Sequence, residues 1–321
     1  MKAIRVEKQG GPEVMQLVEL PTPKPGPGQV LVRVEAAGVN FIDTYQRSGA
    51  YPMKLPMVPG AEGAGVVEEV GEGAKELKKG MRVAWAGVPG SYATHLVAPE
   101  EKLVVVPDGV SLQVAAATMV QGMTAHYLVN DTWPLQKGQT CLLHAAAGGT
   151  GLLFCQLAKR KGARVLATVG TEEKAKLARG AGADETILYT RDDFEEVARK
   201  LTSGKGVDVV YDSVGKDTWE RSLRSLRPRG MLVLFGQSSG AVPAFNPQLL
   251  AQYGSLYFTR PTIANYSSRP ELLARSSELF GLIREGKLSV RIGATFPLAQ
   301  AAQAHEMLAG RKTTGKVLLL P

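Results

Sequence analysis

The sequence predicts an α/β chain in two parts: a β-rich, barrel-like domain and a doubly wound parallel sheet set into it. Three observations predict it. From Met1 to about Pro107, short apolar alternations are broken by Gly and Pro, and many short strands with turns between them suggest a barrel. After Ser111, strand-like runs alternate with longer helical stretches, as in a parallel sheet covered on both faces. Beyond Pro261 that alternation stops, and the tail is expected to return and complete the first domain. The boundaries follow: 1–123 with 261–321 for the β-rich domain, 124–260 for the wound sheet.

Taken in order, Val30–Glu35, Gly65–Val70, Met81–Trp85 and Leu103–Val106 read as strands, set apart by breakers such as Pro23-Lys24-Pro25-Gly26-Pro27-Gly28. Cys141–His144 is a strand leading to a helix from about Thr150 to Lys161, and Arg164–Thr168 leads to one at Glu172–Arg179. Val207–Tyr211 precedes a helix at Lys216–Leu226, with strands at Met231–Phe235 and Ser255–Phe258 after it. The tail carries a helix at Pro270–Glu285, a strand near Phe296, a helix at Leu298–Leu308 and a last strand, Val317–Leu320.

Composition narrows the class. The 321 residues suit one large domain or two ordinary ones. Apolar residues at 44% can fill cores, and 21% charged argues against disorder. Two cysteines, Cys141 and Cys155, exclude a disulfide framework and a four-cysteine zinc lobe; in a strand and a helix, they read as buried packing. The charge of +8 permits attraction to phosphate-bearing partners. Scattered Lys and Arg without a long block read instead as a solvated surface. No apolar signal core or membrane-length apolar run occurs, so cytoplasmic residence is the expectation.

Ala146-Ala147-Gly148-Gly149-Thr150-Gly151 lies between the first strand of the alternating region and its helix. There a tight turn brings backbone N–H groups and a helix N-terminus onto a pyrophosphate, the dinucleotide fingerprint, here as A-x-G-x-x-G. An NAD site usually carries Asp or Glu about 20 residues further on. This strand instead ends Thr168-Val169-Gly170-Thr171, without an acid at its tip. Thr171 can cap the next helix, and Lys174 in its first turn points back toward that N-terminus. Together they suit a 2′-phosphate and hence NADPH, although Glu172 and Glu173 add negative charge nearby.

At this point the chain resembles the medium-chain dehydrogenase/reductase superfamily, and within it the zinc-free quinone oxidoreductases related to zeta-crystallin. Gly10-Gly11-Pro12-Glu13-Val14, Ala37–Asp43, Pro59–Gly65, His144–Gly149, Val210–Gly215 and Gly254–Pro261 carry the resemblance over essentially the whole chain. It implies a GroES-like barrel domain, a Rossmann domain and NADPH-dependent reduction of quinones. It implies no metal: the ligand positions of zinc-dependent relatives match Asn40, Ala61-Glu62 and Gln121. His95, His126, His144 and His305 lack ligand spacing and read as structural.

The resemblance places Asn40, Tyr45 and Tyr51 near the cleft floor and Thr124 beside the nicotinamide. Asn40 and Tyr45 would orient nicotinamide and substrate carbonyl. Core packing is the alternative for Tyr45, loop packing for Tyr51 and helix packing for Thr124. Gly148, Gly149, Thr150, Gly151, Gly170, Thr171, Lys174, Tyr189, Ser213, Phe235, Gly236 and Ser238 are implied cofactor contacts. Arg260 would bind a phosphate or the quinone oxygen, or form a surface ion pair; Arg311 would join Lys174 at the 2′-phosphate. A quinone spreads incoming charge over two carbonyls and a ring, so it needs less polarisation than a simple ketone. Reduction of activated C=C bonds in enals and enones, and a nucleic-acid-binding role as in zeta-crystallin relatives, are the alternatives. Strand Leu256-Tyr257-Phe258 is expected to end the sheet and pair with a second subunit in a homodimer.

Overall fold

The computed structural model describes residues 1–321. In chain order, the first strands are β1 (Lys2–Val6), β2 (Met15–Glu19) and β3 (Gln29–Val39), followed by helix α1 (Phe41–Ser48). Then come β4 (Glu62–Val70), β5 (Arg82–Ala86), β6 (His95–Pro99), β7 (Leu103–Val105) and α2 (Leu112–Tyr127). The alternating region is β8 (Thr140–Leu143), α3 (Gly149–Arg160), β9 (Arg164–Val169), α4 (Glu172–Gly180), β10 (Glu185–Leu188), α5 (Phe194–Leu201), β11 (Val207–Asp212), α6 (Trp219–Arg224), β12 (Leu226–Leu234), α7 (Gln248–Gln252) and β13 (Tyr257–Thr259). The tail is α8 (Arg269–Arg284), β14 (Ile292–Pro297), α9 (Ala301–Ala309) and β15 (Lys316–Leu320). No helix is long and apolar enough to cross a membrane.

Two compact units form: Met1–Met123 with Ser267–Pro321, and Thr124–Tyr266. The return to the first unit falls at Ser267 rather than at 261. The turn Ile263–Tyr266 stays with the second unit, where Tyr266 stacks on Tyr127 with ring centroids 4.3 Å apart.

The first unit holds a seven-stranded sheet ordered β14-β15-β3-β4-β5-β7, with β6 also pairing β3. The long strand β3 is its spine. β15, the last strand in the chain, lies antiparallel to it with Leu318 opposite Gly38. Val30, Val32, Val34, Val67, Trp85, Tyr92 and Leu319 fill the core between these strands and α9.

In the second unit every pairing is parallel, in the order β10-β9-β8-β11-β12-β13. Strand order reverses between β8 and β11, the crevice where such sheets bind ligands beyond their carboxyl ends. Leu142, Leu166, Val210 and Leu232 are fully buried, which explains their unbroken apolar runs. Helix α6 ends at Arg224, short of the predicted Leu226, because Leu226 already pairs with Val207 at the start of β12.

Candidate active site

The glycine loop follows β8 at the switch point. His144 N–H donates to Tyr211 O and Ala146 N–H to Thr168 O, tying the loop to both neighbouring strands. Ala145 sits at φ 54, a left-handed conformation costly for a side-chain-bearing residue. Helix α3 begins after Gly148, whose missing side chain leaves the first-turn N–H groups without a cap. A Cβ on Gly151 would lie 2.6 Å from Ala146 O and 2.7 Å from Ala145 O. Only glycine lets this helix approach its strand so closely. Gly148, Gly149, Thr150 and Gly151 therefore form one bare, positively polarised N-terminus, a fit for a pyrophosphate.

At the end of β9, Thr171 Oγ1 accepts from Lys174 N–H at 3.2 Å and caps α4. A Cβ on Gly170 would meet the Tyr189 hydroxyl at 2.7 Å. Gly170, Thr171, Lys174 and the half-exposed Tyr189 thus share one corner. At the ends of β11 and β12, Ser238 N–H donates to Ser213 O and Phe235 N–H to Asp212 O. A Cβ on Gly236 would lie 2.6 Å from Ser213 O, so Ser213, Phe235, Gly236 and Ser238 also form one group. Arg260 follows β13 and donates from Nη1 to Leu234 O at 3.0 Å. Thr124, on α2, opens this unit.

His144 is buried between Thr168 Oγ1 and Ser222 Oγ, each 2.9 Å from a ring nitrogen, with Phe194 edge-on. Burial lowers its pKa. Asp212 accepts from the Val214 and Gly215 N–H groups and from the Thr218 and Ser222 hydroxyls, closing the β11 turn. Both hold the strand ends in place.

In the first unit, α1 is capped by Asn40, whose N–H donates to Asp43 Oδ2 at 2.8 Å. Tyr45 and Tyr51 pair with ring centroids 5.2 Å apart. Asn40 is 6% exposed and its amide is engaged at both ends. Nδ2 donates to Glu62 Oε2 at 2.8 Å, and Oδ1 accepts from Lys316 Nζ at 2.8 Å. Its second N–H meets only Gly38 O, at 3.4 Å. Asn40 is thus more constrained than the sequence reading assumed: one N–H has only this long contact. Lys316 and Glu62 form a wholly buried ion pair. Sequence reasoning did not single out Lys316; the available signal was a lysine heading an otherwise apolar strand.

A second buried chain leads away from Asp43. Its Oδ2 accepts from Tyr92 Oη at 2.9 Å, while Oδ1 meets no donor. Arg47 Nη1 lies 3.1 Å from His305 Nδ1. A guanidinium only donates, so Nδ1 is bare and the ring proton sits on Nε2, which donates to Tyr92 Oη at 3.0 Å. Burial, with Arg47 beside it, pushes His305 down to about 3. Burial raises Asp43 to about 7, outweighing the Asn40 N–H and Tyr92 hydroxyl that favour its anion. Arg311 also belongs to this unit, exposed in the turn after α9 at φ 57.

No three His, Cys, Asp or Glu side chains converge as a metal-binding group. The residues that the resemblance matched to zinc ligands are amides and a methyl, Asn40, Gln121 and Ala61, and the Lys316 ammonium lies against Glu62. These residues do not fit a metal ion.

Residues 26–108 match the model of the alcohol dehydrogenase GroES-like domain, and residues 149–277 that of zinc-binding dehydrogenases. The chain is similar to the quinone oxidoreductase of Pseudomonas aeruginosa, 50% identical over 100% of this chain and 99% of that one. It is similar to the 2-haloacrylate reductase of a Burkholderia species, 45% identical over 98% of each. Among solved structures, Escherichia coli quinone oxidoreductase complexed with NADPH superposes with a TM-score of 0.98, at 45% identity over 100% of both chains.

Proposed function

Because the chain belongs to the zinc-free quinone oxidoreductases of the medium-chain dehydrogenase/reductase superfamily, we propose that it is an NADPH-dependent reductase of quinones. The carrying observation is the β9–α4 corner. Its strand end bears no carboxylate, Thr171 caps the helix at the Lys174 N–H, and Tyr189 stands beside Gly170. A 2′-phosphate would meet a cation, Lys174, and helix N–H groups there. Bound NADPH would supply a hydride. The bare start of α3 would hold the pyrophosphate, and Ser213, Phe235, Gly236 and Ser238 would line the cofactor with backbone. Arg260 and Arg311 would add positive charge for its phosphates. In the first unit, Tyr45 and Tyr51 offer an aromatic pair to a planar acceptor, and Asn40 its remaining N–H; Thr124 would flank the nicotinamide.

A second reading, reduction of an activated C=C bond, is favoured by the similarity to a protein named 2-haloacrylate reductase. NADPH oxidation against a panel of quinones, enals, enones and 2-haloacrylates decides between them. Quinones should give the highest kcat/KM; turnover confined to the C=C acceptors would refute the first reading. We also infer a homodimer. β13 pairs only with β12 and leaves Tyr257 56% exposed, and an open edge is a template for a second copy. Light scattering at micromolar concentration should give twice the mass of the 34.2 kDa chain; a monomer would refute it.

A further inference from the structure

We propose that Lys316 and Glu62 are positioning residues that hold the Asn40 side-chain amide in one orientation. The inference rests on the reading of Asn40 as a donor to the acceptor oxygen. The two ends of an asparagine amide are nearly equal in shape, and only their partners tell them apart. Lys316 can only donate, and the Glu62 carboxylate can only accept. With Nζ on Oδ1 at 2.8 Å and Oε2 on Nδ2 at 2.8 Å, just one orientation satisfies both. Lys316 also bonds Glu62 directly, closing a triangle. Glu62 Oε1 takes the Val120 N–H, which anchors the carboxylate to α2.

Stability alone does not account for the pair. Replacing a buried ion pair by apolar groups is often neutral or stabilising. Room is nonetheless made for it: a Cβ on Gly38 would lie 2.7 Å from Lys316 Cε and from Glu62 Cδ. The last strand of the chain thus returns a cation to a residue 276 positions earlier. The orientation has a chemical consequence. As held, Asn40 has its second N–H left over, loosely placed on Gly38 O at 3.4 Å. A reversed amide would carry carbonyl lone pairs there and repel an acceptor oxygen.

The test is the double variant Lys316→Met/Glu62→Gln in the full chain, which leaves no unpaired charge. Two measurements are made: steady-state kinetics with NADPH and a soluble quinone, and 15N spectra of the side-chain amides of Asn40, Asn130, Asn246 and Asn265. Misplacing an orienting group costs up to about a hundredfold; with the amide still present, we expect kcat to fall about tenfold and KM for NADPH to hold. The Asn40 signals, identified by their loss in Asn40→Ala, should shift and lose protection from hydrogen exchange. Wild-type kcat with unmoved Asn40 signals in the folded double variant overturns the proposal. If that variant does not fold, Gly38→Ala, which keeps both charges but crowds them, decides by the same two measurements. Full quinone turnover in Asn40→Ala would instead refute the role of Asn40 itself, while the spectra of the double variant would still show whether the pair holds the amide.

Discussion

Asp43 makes stability depend on pH in a direction opposite to that of most carboxylates. It is fully buried, one oxygen bonded to Tyr92 and the Asn40 N–H, the other without a donor. Burial raises it from 3.8 to about 7. Between those values the folded protein keeps a proton that the unfolded chain has released. Stability is then fully present below about pH 4 and is lost as pH rises toward 7, with a slope of at most about 1.36 kcal/mol per pH unit. Across the window the wild type gives up about 4 kcal/mol. Asp43→Asn keeps an acceptor for both donors and removes the titration. Urea unfolding at several pH values from 4 to 8 should show wild-type stability falling relative to the variant by an amount of that order. The salt-bridged Asp184 and Asp193 titrate in both proteins and cancel in the difference. Parallel stability curves for the two proteins would refute the reasoning.

Three further outcomes test the site. Gly151→Ala drives a methyl against two backbone carbonyls, and overpacking of about 1–3 kcal/mol should raise the NADPH Kd by about fivefold or more by tryptophan fluorescence. Lys174→Ala removes the cation proposed for the 2′-phosphate, so the NADPH Kd should rise about tenfold while that for NADH holds; equal losses would remove Lys174 from that role. Tyr45→Ala should lower quinone kcat severalfold with little change in NADPH affinity, checked by steady-state kinetics.

The wound sheet was legible because its signals are local. The strands from β8 to β11 are each followed within a few residues by a helix, and the glycine loop stands where β8 ends. The β9–α4 corner was legible for the same reason: a missing acid, a capping threonine and a lysine one turn on are neighbours in sequence. The polar interior of the first unit was not. Lys316 and Glu62 are 254 residues apart, and nothing near either announces the other. Tyr92 and His305, 213 apart, gave no motif although they share a buried hydrogen bond. Asn40 could be placed by resemblance, but the bonds that occupy its amide come from strands that only the fold brings together.

Helix α1 explains why pattern reading fails there. An ordinary surface helix buries its apolar stripe and exposes its charges. Here positions 40, 43, 44 and 47, one face at helical spacing, are Asn, Asp, Thr and Arg, and all four are buried. Phe41, Ile42 and Tyr45 stay partly exposed. The inversion is stable because each inward polar group has a built partner: Glu62 and Lys316 for Asn40, Tyr92 for Asp43, Phe41 O for Thr44, Gly10 O and His305 for Arg47. A helix held by its polar side is free to spend its aromatic side on something else. Under the function proposed for the chain, that is a flat acceptor at Tyr45. The network that fixes the helix and the surface that meets the substrate are then two faces of the same short helix and its cap.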